Sequence, residues 1–299
     1  AGVLRRADIA MYEAKRRHTG VELYRDDIDR RTPERLALVA DLRDVIDRDA
    51  LTVHFQPKLD LATGTVVGAE ALCRWQHPTR GWVSPDEFIK VAEETGLIRR
   101  LTDQIVSKAI AASRRWCEQG IDLTVAINLS TLDLLDDGLP GRIEQRLASH
   151  GVAPERIILE ITESALMADT PRTMAIIDRL HRLGVQLSLD DFGTGYSSLS
   201  YLRRLPVSEL KIDRGFVANL LLDAQDEVIV RSTIELGHNL GLRVVAEGVE
   251  TDPVVQHLRS LGCDLGQGFG ISRPLDIDAF EKWLATAPFR VRAAFVPPG

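Results

Sequence analysis

Acidic and amide side chains recur at, or just past, the ends of short apolar runs in this 299-residue chain. The runs are VVGAEAL with Glu70, TVAINLS with Asn128, IILEITE with Glu160 and Glu163, VQLSLDD with Asp190 and Asp191, and VVAEGVE with Glu247 and Glu250. The run ELKID places Lys211 in the same kind of position. One strand ending in a carboxylate means little. A series of them describes a ring of ligands at one end of a barrel. Carboxylates converging on one pocket repel each other unless cations neutralise them. Carboxylate and Asn oxygens are hard ligands, suited to Mg²⁺ or Mn²⁺ rather than zinc. The adjacent pair Asp190-Asp191 has the sequence of a bridging site: at a strand end the chain can turn, so that one Asp spans two ions and the other binds one. Two ions about 4 Å apart suit in-line attack on a phosphodiester. Lys211 would orient the water or neutralise charge developing on the phosphate.

Each position also has a plainer reading. A single Glu at a strand end is commonly a solvated or capping residue. Asp190-Asp191 followed by Phe-Gly-Thr-Gly-Tyr could be an Asp-rich turn with flexible glycines, and Lys211 a surface lysine before Asp213. Flanking Leu210 and Ile212 argue against a wholly exposed strand there. For Arg74, a salt bridge and phosphate binding stand level on sequence alone. GTGYSSL matches neither the P-loop nor the dinucleotide fingerprint. His54, His77 and His238 lack a metal-type i, i+4 partner and read as structural.

These residues need strands to carry them. Candidate strands are LTVHFQ, TVVGAEAL, LTVAIN, RIILEI, VQLSLD, SELKI, RVVAE and a weaker stretch near CDLGQGF. Between them lie helical patterns such as LTDQIVSKAIAASRRWCEQG, TPRTMAIIDRLHRLG, DEVIVRSTIELGHNLG and DPVVQHLRSLG, several ending in Gly. Apolar strands alternating with amphipathic helices predict a parallel sheet. Eight strands in about 240 residues predict an α/β fold, a (β/α)8 TIM barrel with catalytic residues at the C-terminal strand ends. Only a short turn around ATG separates the first two strands, which therefore read as an antiparallel hairpin. A modified barrel with an antiparallel first strand is expected. Thr32-Pro33 ahead of Leu38, Leu42 and Val45 reads as the start of a capped amphipathic helix. LRRADIAMYEAKRR is another helical pattern, broken at HTG.

Composition narrows the classes. Hydrophobic content of 44% supports a sizeable core, and no apolar run approaches the ~18 residues of a membrane span. No signal-peptide pattern opens the chain. It does not begin with Met, so it reads as a piece of a longer protein, whose membrane anchoring is left open. A net charge of −7 argues against sequence-independent binding of duplex nucleic acid. Cys73, Cys117 and Cys263 form no zinc spacing or disulfide framework, which favours a cytoplasmic location.

The ordered strings Glu70-Ala71-Leu72 with Arg74, Asn128-Leu129-Ser130, Glu160-Ile161-Thr162-Glu163, Asp190-Asp191-Phe192-Gly193-Thr194-Gly195, Leu210-Lys211-Ile212-Asp213 and Glu247-Gly248-Val249-Glu250 resemble the EAL domain, from about residue 35 to 285. Gln267-Gly268-Phe269 is similar to its last motif, with Phe where Tyr is usual. LRRADIAMYEAKRRHTG resembles the final helix of a GGDEF (diguanylate cyclase) domain, which implies a tandem GGDEF–EAL parent. The implied division is 1–31 as GGDEF remnant and linker, 32–287 as EAL domain and 288–299 as a C-terminal tail. The resemblance implies hydrolysis of cyclic di-GMP to linear pGpG. It implies Glu70, Asn128, Glu160 and Asp190 as ligands of one ion, and Asp190, Asp191 and Glu247 of a second. It implies Lys211 and Gln267 at the water, with Glu247 as a candidate general base. Gln56, Leu72, Arg74, Asp213, Glu250 and Gln267 would meet the substrate, Arg74 at a phosphate and Gln56 near a guanine. Glu163 would steady the Asp190–Ser198 loop, which the family links to dimerisation, so a homodimer is expected. Many EAL domains are silent receptors, and a cyclic di-GMP receptor module is the alternative. Here no metal or lysine position is lost, which favours an enzyme. A glycosidase using an acid/base pair would leave Asn128 and Lys211 unexplained.

Overall fold

Strand–helix alternation closes into the expected barrel. The computed structural model describes residues 6–7, 10–11, 14–15, 20–23, 26–166, 170–193 and 202–292. Among them the strands are β1 Thr52–Asp60, β2 Thr65–His77, β3 Gly81–Val83, β4 Thr124–Leu129, β5 Ile157–Thr162, β6 Gln186–Phe192, β7 Glu209–Ile212, β8 Arg243–Ala246, β9 Leu265–Gly266 and β10 Arg290–Val291. All but β3 and β10 form a closed ring in the order β1-β9-β8-β7-β6-β5-β4-β2, with β1 pairing β2 to shut it. β1 is antiparallel to both neighbours, whereas the steps from β2 through β4 to β9 are parallel. The cause is the four-residue connection 61–64, long enough for a hairpin and too short for a crossover.

The helices pack outside. Helix Ile98–Glu118 buries Leu101, Ile105, Val106, Ala109, Ile110 and Trp116, which recur every three or four residues along one face. Trp116 meets Phe55 of β1 and Phe280 of helix Ile277–Thr286 at centroid distances of 5.0 and 5.1 Å. Gly120 follows this helix at φ 74°, the left-handed conformation that ends helices.

Two kinds of interior result. A continuous apolar core fills the layer between strands and helices. Ala126, Ile158, Val245 and Leu265 are buried outside that core. Each lies two residues before Asn128, Glu160, Glu247 or Gln267, so it shares their inward-facing side of the strand. The lumen also holds Lys58, Glu160, Ser188, Glu209 and Lys211, all at most 1% exposed.

Three expectations change. Helix Asp26–Asp47 begins before Thr32-Pro33 and runs through the boundary expected at 31/32. Pro33 forgoes one backbone donor there without ending the helix. Arg290–Val291, within the expected tail, pairs parallel with Thr65 and Val66 of β2. Glu70 is not at a strand end but within β2, which continues to His77 and pairs with β3. Its pairing with β4 does stop at Ala71↔Ile127, so Glu70 still reaches the barrel mouth. Of the stretch that resembles a GGDEF helix, 6–7, 10–11 and 14–15 are helical and most of the rest lies outside the described residues.

Candidate active site

Lys211 is the hub of the barrel mouth. It stands on β7, and its Nζ lies 2.6 Å from Glu247 Oε1, 2.7 Å from Glu160 Oε2, 3.1 Å from Asp190 Oδ2 and 3.7 Å from Glu70 Oε2. Parallel register produces this convergence. Asn128 pairs with Glu160, and Thr162 with Asp190, so successive strands step their functional residues around the rim. Glu247 follows β8 directly, its N–H donating to the Ile212 carbonyl.

Asp190 and Asp191 serve one site because β6 breaks its register. The β6–β7 pairing shifts between Leu189 and Phe192, and Asp191 adopts φ 55°. Such irregularities re-aim side chains, and Asp tolerates the left-handed region better than most residues. Asp190, Asp191 and Glu247 each bring an oxygen within 4.8 Å of the others.

The opposite wall is an amide network. Asn128 Nδ2 donates to Glu70 Oε1 at 2.6 Å, and Gln267 Nε2 to Glu70 Oε2 at 2.6 Å and to Gln56 Oε1 at 3.0 Å. Gln56 Nε2 donates to the Ser272 carbonyl. Both Glu70 oxygens are thereby fixed. Gln267 Oε1 is buried without a partner among the described residues. Gly268 lets this segment cross the EGVE loop, since a Cβ there would lie 2.2 Å from the Val249 backbone.

Above the hub lies a cavity of about 820 Å³ lined by Gln56, Glu70, Leu72, Arg74, Asn128, Asp190, Asp191, Asp213, Glu247, Glu250 and Gln267. That volume suits a ligand of drug size or somewhat larger. Arg74 donates to the Cys73 carbonyl at 2.9 Å, and burial lowers its pKa. Asp213 lines the cavity and also caps helix Arg214–Ala218, accepting from Gly215 N–H. Phe269 is half exposed at the rim, under the Arg273 guanidinium. Glu163 is buried at the start of helix Glu163–Leu166. Of the loop it would steady, Asp190–Ser198, residues 194–198 lie outside the described residues.

Sequence reasoning missed Lys58. It is fully buried on β1, 2.7 Å from Glu160 Oε1 and 3.6 Å from Glu209 Oε2. The available signal was period two: Lys58 follows Gln56 by two residues, as Lys211 follows Glu209, and each pair shares a strand face.

Charge at the mouth is unbalanced. Burial, then repulsion from Asp190 and Glu70, push Glu247 up to about 8 despite Lys211. Burial and Glu160 raise Glu70. Burial raises Asp190 against the pull of Lys211, and burial with Asp213 raises Asp191. Glu160 is the exception: burial would raise it, but Lys211 and Lys58 bring it down to about 2. Oxygen-only donors whose negative charge exceeds the neighbouring positive charge fit a divalent cation. Cys73 and Cys263, pushed up to about 12 by burial, are poor candidates for thiolate chemistry.

A family model described as the EAL domain matches residues 39–274. The bifunctional diguanylate cyclase/cyclic di-GMP phosphodiesterase MucR of Pseudomonas aeruginosa is 42% identical over 271 residues, covering 90% of this chain and 40% of MucR. The cyclic di-GMP phosphodiesterase NbdA of the same organism is 39% identical over 289 residues, covering 96% of this chain and 37% of NbdA. The chain thus spans well under half the length of these relatives. The solved structure of the PaMucR phosphodiesterase in complex with c-di-GMP superposes with a TM-score of 0.79 at 43% identity, covering 82% of this chain and 99% of that one. Among the described residues no helix is long and apolar enough to cross a membrane.

Proposed function

This chain belongs to the EAL domain family, and we propose that it hydrolyses cyclic di-GMP to linear pGpG. One observation carries the reading: the full set Glu70, Asn128, Glu160, Asp190, Asp191, Lys211 and Glu247 gathers at one barrel mouth. Relatives named as phosphodiesterases for this dinucleotide support the substrate. Mg²⁺ or Mn²⁺ is the proposed cofactor, as two ions. Glu70, Asn128, Glu160 and Asp190 would hold one, and Asp190, Asp191 and Glu247 the other. Bound there, the ions would lower the pKa of the attacking water and neutralise charge on the phosphate.

The chain's own residues do the remaining work. Lys211 keeps the carboxylates in register and points its ammonium at the pocket floor, where it orients the water. Glu247, whose Oε1 lies 2.6 Å from Lys211 Nζ, accepts the water's proton. The new bond is water oxygen to phosphorus, the bond broken is phosphorus to the ribose 3′ oxygen, and that oxygen leaves with the proton that Glu247 took from the water. Arg74 grips a phosphate, and Gln56, Leu72, Asp213 and Glu250 line the path of the dinucleotide. Gln267 Oε1, unpartnered among the described residues, accepts from a water or a base N–H. Glu163 would steady the adjoining loop. A homodimer, a cytoplasmic location and a GGDEF module ahead of residue 32 belong to the same proposal.

Incubating the protein with cyclic di-GMP and Mn²⁺ tests it. Linear product should form and a chelator should stop it. Tight binding with no product would make the chain a receptor instead.

A further inference from the structure

The lumen contains a charged column whose lower members, Lys58, Glu209 and the part-exposed Arg243, the reaction leaves unused. From the floor of the barrel upward it runs Arg243, Glu209, Lys58, Glu160, Lys211. Arg243 Nη2 donates to Glu209 Oε1 at 2.8 Å across the β7–β8 register. Glu209 Oε2 faces Lys58 Nζ at 3.6 Å and has no hydrogen-bond partner among the described residues. Lys58 Nζ then donates to Glu160 Oε1 at 2.7 Å. Lys211 takes the other oxygen, Oε2, also at 2.7 Å.

Buried charges are expensive unless paired, so this column needs every member to be matched. None of Lys58, Glu209, Glu160 and Lys211 lines the cavity directly; Lys211 alone of the two lysines contacts Glu70, Asp190 and Glu247, which do. The two lysines therefore divide Glu160 between them. Lys58 holds one oxygen and is itself faced by Glu209 in the lumen. The oxygen shared with Lys211 is tied through that lysine to Glu70, Asp190 and Glu247, which line the cavity.

We propose that Lys58 is a positioning residue that makes Glu160 a one-oxygen ligand, and that Glu209, fixed by Arg243, anchors Lys58 from below. The proposal rests on the reading of the mouth as a divalent-cation site. Its consequence is ion choice. Mg²⁺ and Mn²⁺ favour octahedral sites that take one oxygen from each carboxylate, whereas Ca²⁺ accepts six to eight oxygens and readily takes both from one carboxylate. Withholding Glu160 Oε1 tilts the site away from Ca²⁺.

The experiment is calorimetric titration of metal-free protein with Mn²⁺ and with Ca²⁺, without substrate, for the parent, Lys58→Met and Glu209→Gln. Removing Lys58 frees the second oxygen. The ratio of Ca²⁺ to Mn²⁺ affinity should rise about tenfold in Lys58→Met, the usual scale for residues that orient a ligand. Glu209→Gln keeps the shape and loosens the anchor, and should move the ratio in the same direction by roughly threefold. A general folding defect would weaken both ions together and leave the ratio unmoved. A ratio within error of the parent in a folded Lys58→Met overturns the proposal. If that variant does not fold, an unchanged ratio in Glu209→Gln overturns it. A parent that bound neither ion would sink the cation site itself and this proposal with it. A parent that binds Mn²⁺ while the variants keep its ratio removes Lys58 alone.

Discussion

Lys211 and Lys58 are equally buried, and each donates to one oxygen of Glu160 at 2.7 Å. Their surroundings differ. Lys211 faces four carboxylates, Glu70, Glu160, Asp190 and Glu247. Lys58 faces two, Glu160 and Glu209, and Arg243 helps to satisfy the second. Below, the charges are matched. Above, negative charge is in excess and several carboxyls shift toward the protonated form. A lysine among two acids holds a structure together. A lysine among four marks a place where more positive charge is meant to arrive.

The comparison breaks most sharply at Glu70. It joins the amide wall to the hub, accepting from Asn128 and Gln267 while facing Lys211. Glu70→Ala should reduce turnover by roughly 10³-fold or more, as loss of a preorganised charge in a closed site does. Assays of pGpG formation check this, and full activity would show that the ring is not the site. Lys211→Ala comes next, with a loss of about 10²-fold or more in kcat and little change in KM. A change confined to KM would count against its place at the water.

How much of this could be read beforehand follows the same division. The mouth was legible because ligand chemistry leaves acids and amides where apolar strands should simply end, at Asn128, Glu160, Asp190 and Glu247. The hairpin was legible because its linking turn is too short for a crossover. The lumen was not. Lys58 and Glu209 sit inside strands and look like ordinary polar residues until closure places them face to face, across more than a hundred residues of chain. Glu70 misled in a smaller way: β2 outruns its barrel partner to pair with β3, so a rim residue became a mid-strand one. The start of helix Asp26–Asp47 was misplaced because Pro33, which is favoured in a first turn and costly in a helix interior, sits inside this helix without ending it.

The smallest predicted effect is a pH dependence that the two halves should show with opposite signs. Glu247 has a folded pKa of about 8, above its ordinary value of 4.5. The folded state then binds more protons than the unfolded chain between those values, so stability must fall as pH rises through that window. Glu70, Asp190 and Asp191 are raised and act in the same sense. Glu160, held down to about 2 by Lys211 and Lys58 against burial, gives stability that is complete above its ordinary value of 4.5 and is lost only as pH falls toward 2. Metal-free protein should accordingly melt several degrees lower at pH 9 than at pH 6, on the scale of a few degrees per kcal/mol for a domain of this size. Saturating Mn²⁺ should flatten the difference, because the ion takes the place of the protons and binds more tightly as pH rises. Melting curves at the two pH values, with chelator and with Mn²⁺, read the effect directly. A metal-free protein equally stable at both would mean that the carboxylates at the mouth are already balanced, and the contrast between the two lysines would be lost.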